Sequence, residues 1–259
     1  MLPTLHETFL TRPLAHRALH DASAGRPENS LAAVRHAVAL GYGIEIDLQP
    51  SADGQAMVFH DYDLGRLTHA TGQVKALDAA QLQALQVRGG DAPIPTLPEV
   101  LAEVAGQVPL LIELKDQSRA LGHAQSVLES ATAQALQGYD GPVALMSFNP
   151  KMIGNLAQMA PHVPRGLTTY AFPERDVPPD TPPEMQVHRE TLAQIAAYDA
   201  VGACFISHDW HDLNRPRVAE LKAQGAAILS WTIRTPAEEM IARQIAQNIT
   251  FESYLPERP

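Results

Sequence analysis

The sequence predicts an α/β barrel of eight parallel strands with one additional hairpin strand, and three observations carry that expectation. Short apolar, β-rich runs recur along the chain with helix-patterned stretches between them, the alternation that builds a parallel sheet. The chain has 259 residues, 45% of them hydrophobic, a size at which α/β barrels form one domain. Polar residues gather at the ends of the apolar runs, where a parallel barrel carries its functional groups. Residues 1–259 therefore read as a single barrel domain, with a small insertion at about 61–108 after the hairpin strand that carries His60.

The strands are expected at 14–18, 43–49, 57–60, 110–115, 143–148, 166–170, 204–207, 227–233 and 248–251, the run at 57–60 being the hairpin member. In 43–49 the side chains alternate in period two. Glu45 and Asp47 thus share one face, turned to a cavity or solvent, while Ile44, Ile46 and Leu48 share the other. Asp53-Gly54 signals a tight turn, and a midpoint between Ala52 and Asp53 sets His60 opposite Glu45.

Leu31, Val34 and Val38 form the apolar face of a helix ending near Gly41, with Asn29 either its N-cap or a support for His16 beside Glu28. Thr96 to Glu99 and Thr235 to Glu238 have capping-box spacing, and Gly106, Gly138 and Gly225 read as helix stops. Between His60 and Leu110 only one helix, 97–105, is legible. The turn-forming runs Arg88-Gly89-Gly90-Asp91 and Pro93-Ile94-Pro95-Thr96 make this stretch an insertion folded over one barrel end. Pro173, Pro178, Pro179, Pro182 and Pro183 restrict the segment after the sixth run, 166–170, to extended conformations, suited to a lid.

Composition excludes several roles. A net charge of −10 without a Lys/Arg cluster argues against a nucleic-acid surface. The single cysteine, Cys204, has no internal disulfide partner and lies in an apolar run, as packing would place it. There is no membrane-spanning run, and residues 1–14 lack the continuous apolar stretch of an ordinary secretory signal, so a cytoplasmic location is the expectation.

The chemistry gathers at five run ends: His16-Arg17, Glu45 with Asp47, His60-Asp61, Glu113 with Lys115, and Ser147-Phe148-Asn149. Glu45, Asp47 and Glu113 offer only hard oxygen ligands, which favours one divalent cation, Mg²⁺ or Ca²⁺, over Zn²⁺. His16 and His60 suit general acid–base work because histidine exchanges its proton near neutral pH. Arg17 and Lys115 supply fixed positive charge for phosphate oxygens. Alternating carboxylates alone would be an ordinary solvated strand face. The company of Glu113, His16 and His60 outweighs that reading.

Trp231 either stacks on substrate at the mouth of the last-but-one run or fills the barrel; its neighbours Thr232 and Arg234 favour the pocket. Asp61 either orients His60 or caps a turn. His20, His36, His69, His123, His162 and His188 have no carboxylate at useful spacing and are given no role. His208 and His211 stand in a polar cluster, 208–212, that suggests a wall of the leaving-group pocket.

The order His16-Arg17, Pro27-Glu28-Asn29, Glu45-Ile46-Asp47, Asp53-Gly54, His60-Asp61, Pro95-Thr96-Leu97 and Glu113-Leu114-Lys115 resembles the glycerophosphodiester phosphodiesterases. It continues more sparsely through Ser147-Phe148, Pro164 to Leu167 and Trp231-Thr232. The resemblance implies a TIM (β/α)8 barrel, a divalent metal on Glu45, Asp47 and Glu113, and His16 with His60 as the acid–base pair. It implies hydrolysis of a glycerophosphodiester to glycerol 3-phosphate and an alcohol in two steps. In the first, one histidine takes the proton of the glycerol 2-hydroxyl as it attacks phosphorus and the other protonates the departing alcohol; water then opens the cyclic phosphate.

Two departures stand out. Ala18 follows His16-Arg17 where the family has glycine, which alters how the backbone approaches phosphate. The family's last strand ends in Thr-Asp, where this chain runs Asn248 to Glu252. The same catalytic set also fits a lysophospholipase D or sphingomyelinase D type activity, which an exposed apolar patch on the lid would favour. From another class, a catalytically silent barrel binding a phosphorylated metabolite is disfavoured by the intact histidines and carboxylates.

Overall fold

A computed structural model describes residues 3–118, 125–173 and 183–258. Its strands are β1 (Leu14–Ala15), β2 (Gly43–Pro50), β3 (Ala56–Val58), β4 (Leu110–Leu114), β5 (Val143–Ser147), β6 (Arg165–Thr169), β7 (Phe205–Asp209), β8 (Ala227–Ile233) and β9 (Asn248–Phe251). They form one sheet in the order β1-β9-β8-β7-β6-β5-β4-β2-β3, and β1 also pairs with β2, which closes eight parallel strands into a barrel. The antiparallel β3 hangs on β2 alone. The described helices are α1 (Thr8–Thr11), α2 (Leu31–Leu40), α3 (Ala79–Gln83), α4 (Leu97–Val104), α5 (Val127–Ala135), α6 (Pro150–Met159), α7 (Pro183–Ala193), α8 (Pro216–Ala223) and α9 (Pro236–Ala242).

Period-two alternation sorts the side chains of each strand into two cores. Leu14, Leu111, Ala144, Met146, Phe205 and Leu229 fill the barrel interior, where Phe9 of α1 joins them. Ile44, Ile46, Leu48, Ile112, Ile206 and Ile228 face the surrounding helices instead. Glu45, Asp47 and Glu113 fall on the inward register of β2 and β4. They are buried within the barrel and are not a solvated face.

Three sequence expectations need correction. The hairpin register is offset by one residue: Leu48 pairs with Val58, Gln49 with Met57 and Pro50 with Ala56. Ser51 N–H donates to the Gln55 carbonyl at 2.9 Å, so Ala52, Asp53 and Gly54 form the loop and Asp53 is its midpoint. Only Gly54 takes a left-handed φ, +80°, as in a three-residue loop; the Asp53 carboxylate is tied to Ser51 Oγ and to the Ala79 amide. His60 therefore lies beyond the end of β3 and not opposite Glu45. Secondly, β1 stops at Ala15, since Arg17 and Ala18 adopt φ of 53° and 63°, outside extended geometry. Thirdly, Thr235 accepts from Glu238 N–H as expected, but the Glu238 carboxylate accepts from the Arg234 amide and leaves the box unreciprocated.

The Thr96–Glu99 capping box is present, and Gly41, Gly106, Gly138 and Gly225 all have positive φ at or just past helix ends. The stretch between β3 and β4 contains α3, which the sequence reading missed, and its Leu64, Leu82, Val87 and Ile94 form a separate apolar cluster with Met57 and Phe59. Most of the expected proline-rich lid, and His123, lie outside the described residues. No described helix is long and apolar enough to cross a membrane.

Candidate active site

The strand ends bring the predicted residues to one end of the barrel. His16, Lys115 and Glu252 each stand one residue past a strand, after β1, β4 and β9. Asp47 and Glu113 are lateral neighbours in the β2–β4 register, and with Glu45 they offer carboxylate oxygens within 4.8 Å of one another. Burial, then the charges of Asp47 and Glu113, push the Glu45 carboxyl well above its ordinary range. Burial also raises Glu113, against the pull of Lys115. Asp47 moves the other way: burial opposes its ionisation, but Lys115, His60 and Arg17 hold it below the usual carboxylate range.

Lys115 Nζ donates to Asp47 Oδ1 at 2.7 Å and to Glu113 Oε1 at 2.5 Å. Arg17 donates its backbone N–H to Glu45 Oε2 at 2.8 Å, and its Nε, buried without a hydrogen-bond partner, lies 3.8 Å from Asp47 Oδ2. Asn29 spans Asp47, donating from Nδ2 to Oδ2 at 2.9 Å and accepting the Asp47 amide at 3.3 Å. The helix cap is Ser30, so Asn29 serves the site and not α2. Three buried carboxylates thus converge with an all-oxygen donor set, which suits a hard divalent cation and gives a soft one no thiolate or imidazole. The residues present fit such an ion.

Each histidine gives Nδ1 to a carboxylate. His16 Nδ1 is 2.6 Å from Glu252 Oε2, and Arg234 Nε grips Glu252 Oε1 at 2.7 Å. His60 Nδ1 is 2.7 Å from Asp61 Oδ1, and Arg66 donates to both Asp61 oxygens. An ionised carboxylate only accepts, so Nδ1 carries the proton in both rings and Nε2 is the nitrogen left to titrate. Burial lowers the His16 pKa against the opposing pull of Glu252, and burial likewise lowers His60 against Asp47. The His16 hydrogen bond holds Glu252 far below its ordinary value. Asp61 therefore orients His60, the first of its two sequence readings.

Several contributors were missed by sequence. Arg66 of the insertion also donates to both Glu28 oxygens at 2.8 Å, and Glu28 in turn accepts from Arg17 Nη1 at 2.8 Å. Nothing near Arg66 in sequence marks it. His20, given no role above, lies 3.8 Å from Glu252 Oε2, a carboxylate that no local spacing would reveal. Ala18 occupies a left-handed conformation that favours glycine, and its amide donates to the Glu45 carbonyl at 2.9 Å.

A cavity of about 540 Å³ opens beside the carboxylates, and His60, Glu113, Lys115 and Trp231 help to line it. The polar cluster at 208–212, which spans the end of β7, does not: His208 is fully buried with Nδ1 2.7 Å from Thr169 Oγ1, and His211 is exposed against Asp209. Cys204 is partly buried and free, its thiol pKa raised by burial.

Known proteins similar to this chain are phosphodiesterases. A glycerophosphodiester phosphodiesterase of Caldanaerobacter subterraneus is 32% identical over 166 residues, 61% of this chain and 66% of its own. One from Bacillus subtilis is 26% identical over 243 residues, 87% of this chain and 77% of its own. Among solved structures, an Oleispira antarctica phosphodiesterase in complex with the product sn-glycerol-3-phosphate superposes with a TM-score of 0.73 at 22% identity, covering 96% of this chain and 93% of that one. The model of the glycerophosphoryl diester phosphodiesterase family matches residues 16–250. The chain belongs to that family, as a TIM-barrel phosphodiesterase.

Proposed function

We propose that this protein hydrolyses glycerophosphodiesters to glycerol 3-phosphate and an alcohol, with His16 and His60 as acid–base pair and one divalent cation, Mg²⁺ or Ca²⁺, on Glu45, Asp47 and Glu113. The observation that carries this reading is the buried carboxylate triad flanked by two histidines, each tied at Nδ1 to its own carboxylate. The Oleispira complex with sn-glycerol-3-phosphate supports the product.

The cation, when bound, supplies Lewis-acid stabilisation of charge developing on phosphate oxygens. The protein's own groups do the rest. Arg17 and Lys115 hold positive charge beside the triad, suited to the same oxygens. One histidine, neutral at Nε2, takes the proton of the attacking hydroxyl, and the other, protonated there, gives one to the departing alcohol. Their Nδ1 hydrogen bonds fix ring orientation and tautomer throughout. The cytoplasmic setting belongs to this reading too, and a lone cysteine, unable to form an internal disulfide, is compatible with it.

Phosphorus NMR of the protein with glycerophosphocholine tests it. Glycerol 3-phosphate should appear with Mg²⁺ or Ca²⁺ and not with EDTA; turnover indifferent to EDTA would remove the cation from the scheme.

A further inference from the structure

We propose that His20 is a positioning residue that acts on His16 through Glu252, the carboxylate that both rings face. This rests on the reading above that His16 moves a proton, and adds to it a second ring on the same carboxylate. The local fold brings the pair together. Arg17 and Ala18 both take left-handed φ, and the His20 amide donates to the Ala18 carbonyl at 2.9 Å, so the chain doubles back directly after β1. The His16 amide donates to the Phe251 carbonyl at 2.8 Å and the Glu252 amide to the Ile233 carbonyl at 2.9 Å, which pins the carboxylate beside that turn.

Glu252 has two oxygens and three claimants. Arg234 Nε occupies Oε1 at 2.7 Å, and His16 Nδ1 occupies Oε2 at 2.6 Å. His20 Nε2 lies 3.8 Å from that same Oε2, within ion-pair reach but beyond a hydrogen bond, and it is buried without a hydrogen-bond partner. Leaving a buried ring nitrogen unpaired is unfavourable, and Oε2, with more than one lone pair, can accept from both rings. His16 and then His20 are also the two groups that do most to hold the Glu252 carboxyl far below its ordinary range.

Sharing one carboxylate couples the two rings. A proton on His20 sets a second positive charge against Glu252 and disfavours a proton on His16. A neutral His20 donating from Nε2 weakens the pull of the carboxylate on His16 in the same sense, by less. In either state His20 opposes protonated His16, whereas Glu252 favours it. The other charges around the pair stay fixed where a histidine titrates: Arg17 and Asp47 act on His16, Arg234 acts on Glu252, and Asp21, next to His20, is held by Ser23 and Arg26. His60 titrates in the same range, but against Asp61 and not Glu252.

The test is an NMR titration of the carbon-bound imidazole protons of His16, with Mg²⁺ and no substrate, beside the pH–rate profile for glycerophosphocholine. In His20→Ala the His16 titration should move to higher pH by about half a unit, the size expected for two charges a few ångströms apart near water. That direction is opposite to the one Glu252→Gln should give. The alanine variant should also lose several-fold in kcat with KM unchanged, since Glu252 loses a group that steadies it. His20→Gln keeps a donor without a titrating charge, so it should recover most of that kcat while part of the titration shift remains. In a Glu252→Gln background His20→Ala should move the His16 titration no further. A titration unmoved in both His20 variants overturns the inference whatever happens to kcat, because a packing role costs rate without shifting a proton equilibrium. An equal shift in the Glu252→Gln background overturns it as well, since His20 would then reach His16 by another path. The titration needs no turnover, so failure to cleave any glycerophosphodiester would remove the phosphodiesterase reading while the His16 shift still decides the coupling.

Discussion

His16 and His60 each rest on a carboxylate that is gripped in turn by an arginine, Glu252 with Arg234 and Asp61 with Arg66. If both rings move protons, His16→Ala and His60→Ala should each reduce kcat by about 10² to 10⁴, measured by phosphorus NMR; a loss under tenfold would take that ring out of the reaction. Glu252→Gln is a sharper probe. It keeps the size of the side chain but removes the charge that favours protonated His16, so the His16 pKa should fall further below 6.5 and its limb of the pH–rate profile should move to lower pH. The amide can also donate to Nδ1 and stabilise the wrong tautomer, with a cost of about 10²-fold in kcat. A profile that stays in place would mean that Glu252 does not act through His16. Glu45, Asp47, Glu113, His16 and His60 were legible because strand alternation and run ends are local patterns. Glu252 was visible only as a carboxylate near a strand end, since its partner lies 236 positions away and the pair forms only when β9 closes beside β1.

Among the elements, the stretch after β3 braces the site through Arg66. Arg66 makes paired hydrogen bonds to Asp61 and to Glu28, and so ties the chain after β3 to the loop before α2. Arg66→Ala leaves Asp61 and Glu28 without their shared cation. The site is half exposed, so the folding penalty should stay within about 1 kcal/mol, read from the urea midpoint. Activity should fall by about 10- to 100-fold because His60 loses its fixed orientation. Equal losses in stability and rate would instead mean that Arg66 only holds the insertion down. Strand and helix positions of the barrel were readable from periodicity, and every expected strand is present. The errors cluster where periodicity has too few residues to act. β1 has two residues, α3 has five, and the hairpin register hung on whether Asp53-Gly54 was a whole turn or part of a longer one.

At the scale of the whole molecule, barrel closure drives three carboxylates into one buried space, and the fold carries that cost unless a cation shares it. Glu45 and Glu113 keep their protons to higher pH in the folded chain than at the ordinary value of 4.5. As pH rises from there through their folded values, the unfolded chain releases protons that the folded one retains, so these two groups subtract stability across that window. Asp47, held low, works with the opposite sign and only below its ordinary 3.8, while the lowered histidines add stability as pH rises towards 6.5. A bound divalent cation reverses the term from the two glutamates, since it favours their ionised forms and displaces protons. The gain in melting temperature on adding Mg²⁺ or Ca²⁺ should therefore grow with pH. Ligand at a hundredfold excess over its Kd contributes about 2.7 kcal/mol, at roughly 2–4 °C per kcal/mol for a chain of this size. Calorimetry at pH 5 and pH 7.5, with cation or EDTA, measures that difference, and Glu45→Gln should abolish both the shift and cation-dependent turnover while the protein still melts cooperatively. A wild-type melting temperature indifferent to cation at pH 7.5 would show that Lys115 and Arg17 alone neutralise the triad.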